Sequence, residues 1–165
     1  MGVCKENIYK EVYYNYSEYL RNFLYYKSGN MGVAEDISHD AFMKLWENCS
    51  KVTVDKAKSY LFTVANNLFL NKANRSKVVL KFEKSLTQST DKSDPHYLLQ
   101  KEEFKQRLEK AISDLPENQR IVFLMNRIDK KKYREIAEEL DLSVKAVEKR
   151  MHLALSALRK LHKGV

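Results

Sequence analysis

The chain has 165 residues and a formal net charge of +8, and its 44% hydrophobic and 32% charged content is the balance of a folded, water-borne protein. Two prolines and four glycines argue against a fold built from many tight turns and favour helices. No run of about eighteen apolar residues offers a membrane span, so the positive balance points to a polyanionic partner rather than to insertion.

That charge is uneven. Lys and Arg stand against Asp and Glu at 11 to 8 over residues 1 to 77, 4 to 5 over 78 to 103, and 15 to 9 over 104 to 165. Both ends are basic, and the middle is not. The opening MGVCKENIYKEVYY lacks the apolar stretch that secretion needs, so a soluble, cytoplasmic protein is expected. Cys4 and Cys49 make no disulfide framework; Cys49 reads as a small core side chain, and neither is assigned chemistry. His39, His96, His152 and His162 show no metal-ligand spacing, and no cofactor is expected.

Residues 5 to 28 repeat Ile8, Val12, Tyr16, Leu20, Phe23 and Leu24 at helical spacing, which predicts one long helix ended by Ser28-Gly29-Asn30-Met31-Gly32. In AEDISHDAFMKLWE, positions 34, 37, 41, 42 and 45 form an apolar stripe. The opposite face offers Asp36, His39, Asp40, Met43 and Glu47, either a solvated surface or a protein interface. After a loop over Cys49 to Asp55, KAKSYLFTVANNLFLNKA predicts a third helix with Tyr60, Leu61, Val64, Ala65, Leu68 and Phe69 inward. Its polar remainder, Lys58, Asn66, Asn67, Asn71, Lys72, Arg75 and Lys77, sets amides beside cations at some cost in helix propensity. Amides that bond base edges, cations that track phosphates and Tyr60 to stack a base would suit single-stranded DNA.

Residues 78 to 103 are Ser-, Thr- and Asp-rich around Pro95 and read as a linker whose ends would lie about 25 to 30 Å apart as a relaxed coil. Next, Leu115-Pro116 opens a helix through Ile121 to Met125. The cations Lys130, Lys131 and Lys132 suit phosphate oxygens. In YREIAEELDLSVKAVEKRMHLALSALRKL, Ile136, Ala137 and Leu140 face inward while Arg134, Glu135, Glu138 and Glu139 are expected outside. Asp141 tolerates the left-handed conformation of a sharp turn, and Ser143 can cap the next helix. That helix is expected to bury a stripe of Val144, Val147, Met151, Leu155, Leu158 and Leu161 and leaves Lys145, Glu148, Lys149, Arg150 and His152 on its first two turns free to meet base edges, as in a helix-turn-helix.

Taken in order, AEDISHDAFMKLWE, SYLFTVANNLFLNKANR, the polar stretch, LPENQRIVF and the final helix pair resemble the extracytoplasmic-function sigma factors of bacterial RNA polymerase. The resemblance covers nearly the whole chain and implies an all-α protein of two small helical domains: region 2 over 1–77, a flexible linker over 78–103, and region 4 over 104–165. It implies no catalysis. Asp36, His39, Asp40, Met43 and Glu47 would meet the clamp of the largest polymerase subunit, and the flap of the second-largest subunit is a further expected contact. Lys58, Tyr60, Asn67, Asn71, Lys72 and Arg75 would capture the downstream promoter element, with the Cys49 to Asp55 loop receiving an unstacked base. Lys145, Glu148, Lys149 and His152 would read the upstream element while Lys130, Lys131, Lys132 and Arg150 hold phosphates. An anti-sigma factor, which could be membrane-bound, is the further partner the resemblance implies. Asp141 and Ala146 depart from the family's common Gly and Thr.

Two other classes compete. A response-regulator type helix-turn-helix regulator shares the last four helices but needs an alternating strand-and-helix receiver that residues 1 to 77 do not spell. A helical enzyme needs a phosphate loop, a metal-ligand set or an activated nucleophile, and none is legible.

Overall fold

The computed structural model describes residues 2–72, 78–82 and 94–161. Among them run α1 (Glu6–Ser28), α2 (Met31–Glu47), α3 (Val54–Asn71), α4 (Pro95–Ser113), α5 (Glu117–Arg127), α6 (Tyr133–Leu140) and α7 (Val144–Arg159). The only β pairing among the described residues is one isolated antiparallel bridge between Gly2 and Thr53, so the all-α expectation holds.

The first three helices form one bundle. All five stripe positions of α2, Ala34, Ile37, Ala41, Phe42 and Leu45, are buried against α1 and α3, where Leu20, Leu24 and Leu61 complete the core. Gly29 ends α1 at φ 68°, a conformation open to glycine, and a Cβ there would also lie 2.9 Å from the Val78 side chain. Asn30 then caps α2, its side chain accepting from Val33 N at 3.1 Å.

Structured chain extends into both ends of the expected linker. Over residues 78–82 the backbone crosses from α1 to α4. Tyr25 Oη donates to Lys81 O and accepts from Lys81 N, both at 3.0 Å, while Leu80 N and Phe82 N donate to Ser113 Oγ and Glu109 Oε1. Leu80 and Phe82 are buried. At the other end α4 starts at Pro95, capped by Asp94, whose carboxylate accepts from His96 N at 3.0 Å. Proline in a first helical turn surrenders no hydrogen bond, which is why α4 begins eight residues before the expected linker end.

The second bundle, α4 to α7, docks on the first through α5 and α6 against α1 and α3. Buried Arg120 donates from Nε to Tyr26 O at 2.8 Å and from Nη2 to Lys27 O at 3.3 Å. Its Nη1 reaches Ser113 O and Leu115 O. A guanidinium thus answers carbonyls in the last turn of α1, where the helix dipole favours a cation. Beside it, Asp129 Oδ1 accepts from Tyr26 Oη at 2.9 Å and Asn22 Nδ2 at 3.0 Å. The expectation of separately tethered units therefore meets a chain in which the two bundles share a polar seam.

Two further expectations are corrected. Cys4 and Cys49 are disulfide-bonded, with Cα atoms 4.8 Å apart, because the backbone next to each already pairs: Val3 N donates to Cys49 O at 3.1 Å. Glu139 points inward rather than out, with 1% of its side chain exposed, because Lys131 and Lys58 both reach it across the seam.

Candidate nucleic-acid interface

The turn between α6 and α7 carries the helix-turn-helix geometry. Asp141 takes φ 54° and ψ 51°, the left-handed conformation expected of it, and its N–H bonds Ala137 O. Leu142 N then returns to Ala137 O at 2.8 Å, and Ser143 Oγ accepts from Ala146 N at 3.1 Å. These bonds fix the departure of α7, whose Val147, Met151 and Ala154 are buried. Lys145, Glu148, Lys149 and His152 consequently face solvent on one side. Val144, expected in the buried stripe, is 41% exposed because it stands at the first helical position, outside the packed turns.

Of the cations before α6, Lys130 and Lys132 are exposed, and Lys130 turns the chain at φ 58°. Lys131 goes the other way. It is 7% exposed, its ammonium lies 2.6 and 2.5 Å from the two Glu139 oxygens and 4.2 Å from the Tyr19 ring centroid, and it does not face outward as a phosphate contact. Burial lowers the Lys131 pKa, with the bond and charge of Glu139 opposing. Lys58 brings a second ammonium to Glu139 at 2.7 Å. Burial pulls the Lys58 pKa down, but the Glu139 hydrogen bond and charge outweigh it and the net shift is upward. Asp129 is raised, chiefly by burial, against the bonds from Tyr26 and Asn22.

On α3, Asn67 and Asn71 are exposed, and exposed Lys72 pairs with Asp40 of α2 at 3.2 Å. Tyr60 is half-buried and donates to Lys44 O at 3.4 Å. Arg75 lies outside the described residues. Lys58, placed by its sequence with this group, instead enters the seam. The outer face of α2 presents Asp36, His39, Met43 and Glu47 in the open, with Asp40 partly covered by Lys72. Trp46, at 47% exposure, extends that face toward Tyr9, whose ring lies edge-on at 5.0 Å. Half-buried Arg150 lines a cleft between the bundles together with Thr63, Asn66 and Asn118.

Sequence reasoning missed Phe62, which is buried against Phe23 with ring centroids 5.2 Å apart and stands beneath the Lys131 ammonium. It also missed Arg120. A signal existed for Glu139: it lies three residues after Ile136, on the edge of the helix's apolar face. Among the described residues no group of three or more His, Cys, Asp and Glu is arranged to hold a metal ion, and no helix is long and apolar enough to cross a membrane.

A helix-turn-helix behind an all-helical bundle with an exposed carboxylate face defines a helical transcription protein, and comparison with known families narrows the class. Residues 12–78 match the model of sigma-70 region 2, and residues 105–158 match that of sigma-70 region 4. Among curated proteins, the chain is 27% identical over 156 residues to the ECF RNA polymerase sigma factor SigW of Bacillus subtilis (strain 168), covering 88% of this chain and 83% of that one. It is 26% identical to the RNA polymerase sigma factor YlaC of the same organism, over 92% of this chain and 90% of the relative. The ECF RNA polymerase sigma factor SigM is likewise 26% identical, covering 81% and 82%. The chain belongs to the sigma-70 family as an RNA polymerase sigma factor of the extracytoplasmic-function type. The regulator alternative is not favoured, since the N-terminal half matches region 2.

Proposed function

We propose that the protein docks on the clamp of core RNA polymerase through the outer face of α2, using Asp36, His39, Asp40, Met43 and Glu47. Captured single-stranded bases then meet Tyr60, Asn67, Asn71 and Lys72 of α3, and the upstream duplex meets Lys145, Glu148, Lys149 and His152 of α7. Lys130 and Lys132 hold phosphates. Capture needs no chemical step: the factor binds bases that have left the stack better than it binds the duplex, which shifts the equilibrium toward the open form. The role is binding, with no catalytic residue.

The observation that carries this reading is the Asp141–Ser143 turn, which delivers a cationic, solvent-facing first half of α7. Lys131 and Lys58 are held by Glu139 in the docked form and join the DNA-contacting set only when the bundles part. Work on a bacterial polymerase puts the protein in the cytoplasm. An anti-sigma factor is the partner expected to cover the α2 and α7 faces in the resting cell, a reading supported by the family and by the exposed Met43 and Trp46.

Run-off transcription from a genomic template library, with core polymerase alone and with the protein added, tests the reading. New, discrete start sites are expected. No new starts despite a folded, polymerase-mixed protein would overturn it.

A further inference from the structure

The two cysteines close a clasp between the N-terminal residues and the α2–α3 connection. Val3 is fully buried and donates its amide to Cys49 O, Gly2 bridges to Thr53, and a Cβ on Gly2 would stand 2.7 Å from Cys49 O. The disulfide joins Cys4 to Cys49 across this contact and closes a sequence separation of 45 residues. The clasped connection runs through a turn in which Lys51 N and Val52 N both bond Asn48 O, and it ends at Thr53, where α3 begins. It therefore links the helix whose outer face we assign to polymerase with the helix assigned to strand capture.

We propose that Cys4 and Cys49 are a reversible thiol–disulfide switch whose closed form restrains the α2–α3 connection and slows promoter opening. This deepens the sigma-factor reading and rests on it. In a reducing compartment, protein disulfides are mostly transient or redox-sensing rather than structural. The pairing here does not depend on the sulfur–sulfur bond alone, because Val3's burial and its bond to Cys49 O keep the two thiols neighbours after reduction. Cys4 is exposed and Cys49 half-buried, so an oxidant or a reducing thiol reaches the Cys4 side of the pair first.

The chemistry balances with a hydroperoxide as oxidant. The Cys4 thiolate attacks the peroxide oxygen, the O–O bond breaks, the leaving oxygen departs as water or an alcohol after taking a proton, and a sulfenic acid forms. Cys49 sulfur then attacks Cys4 sulfur and displaces that hydroxyl as a second water. Two thiols have lost two electrons, and one peroxide has gained them. A dithiol reductant reverses the change through a mixed disulfide, giving up two electrons and two protons to the Cys4 and Cys49 sulfurs and leaving as its own disulfide. In the closed form residues 2–4 are held along the connection covalently; in the open form buried Val3, its bond to Cys49 O and the Gly2–Thr53 bridge hold them. A connection that must admit an unstacked base yields less when stapled.

The test uses the full chain, reduced with dithiothreitol or oxidised with hydrogen peroxide that is removed before core polymerase is added. Alkylation and intact mass count the free thiols, and open-complex formation is then timed on a promoter found by transcription. We expect no free thiols after peroxide, two after reduction, and opening about fivefold or more slower for the oxidised protein. Cys4→Ser, which lies outside the α2–α3 connection, is expected with unchanged helicity to open promoters at the reduced rate under both conditions. Equal or faster opening by the oxidised protein, or two thiols that never pair, overturns the switch while leaving the sigma reading standing. Absence of any transcript from either form overturns both.

Discussion

Two short turns, one before α6 and one before α7, both pass through left-handed backbone, at Lys130 with φ 58° and at Asp141 with φ 54°, and they lead to opposite ends. After Asp141 the chain presents its charges outward on α7. Around Lys130 the neighbours turn inward: Asp129 to Tyr26 and Asn22, Lys131 to Glu139. The Asp141 turn is governed by bonds within six residues, a left-handed cap and a serine. Partners more than a hundred residues away in sequence, Asn22 and Tyr26, govern the turn at Lys130. A cationic run near a helix-turn-helix is thus divided by tertiary structure into residues free to meet phosphate and one spent on holding the two bundles together.

Breaking the seam should produce the largest effects. Arg120→Ala strips the buried donor from four carbonyls, and a loss of about 4 kcal/mol is expected in urea unfolding, since orphaned buried acceptors and a broken charged network add. A loss under about 1 kcal/mol would mean that water replaces the guanidinium and that the seam is loose. Glu139→Gln leaves Lys131 and Lys58 facing a neutral amide and should lower stability by about 3 kcal/mol, while raising the salt-dependent affinity for non-specific duplex DNA as two cations are released. Unchanged stability with unchanged DNA affinity would count against the division between buried and exposed lysines.

The other turn should respond locally. Ser143→Ala removes one cap and is expected to lose about 1 kcal/mol, with fraying of the first turn of α7 seen as faster amide exchange at Ala146. Smaller still is the effect of Lys27→Met. The Lys27 ammonium lies between the Phe23 and Phe69 rings, 5.5 and 5.2 Å from their centroids, and burial lowers its pKa despite Glu117. A folded-state pKa below the unfolded value of 10.5 means that the native chain binds this proton less tightly, so stability should rise as pH climbs toward 10.5. Tyr26, whose pKa burial raises, acts with the opposite sign above 10, which confines the comparison to lower pH. Thermal unfolding from pH 8 to 9.5 should show a rise in the wild type and a flatter profile in Lys27→Met, with the two within about 1 kcal/mol at neutral pH.

The sequence made local structure legible and left pairing obscure. The α2 stripe, the Gly29 break, the Asp141 turn and the Ser143 cap are short-range patterns, and each stands where periodicity and capping put it. The exposed faces of α2 and α7 follow from them. Glu139 and Lys131 were misjudged because a charged residue is safely buried only beside a counter-charge, and their third partner, Lys58, lies 81 residues upstream of Glu139. Cys4 and Cys49 pair through a backbone contact that no spacing rule encodes. The start of α4 was available in Asp94-Pro95, a cap followed by a first-turn proline, but it was masked by the polar residues around it.

The central claim is that the exposed face of α7 selects promoters on behalf of polymerase. Start-site mapping on a genomic library, with one preparation of core enzyme and either wild type or the Lys145→Ala/Lys149→Ala double variant, tests it most directly. Loss of a guanine contact worth about 1 to 3 kcal/mol at either position should remove or redistribute the wild-type starts while affinity for core polymerase stays unchanged. An identical set of starts at identical strength would contradict the claim.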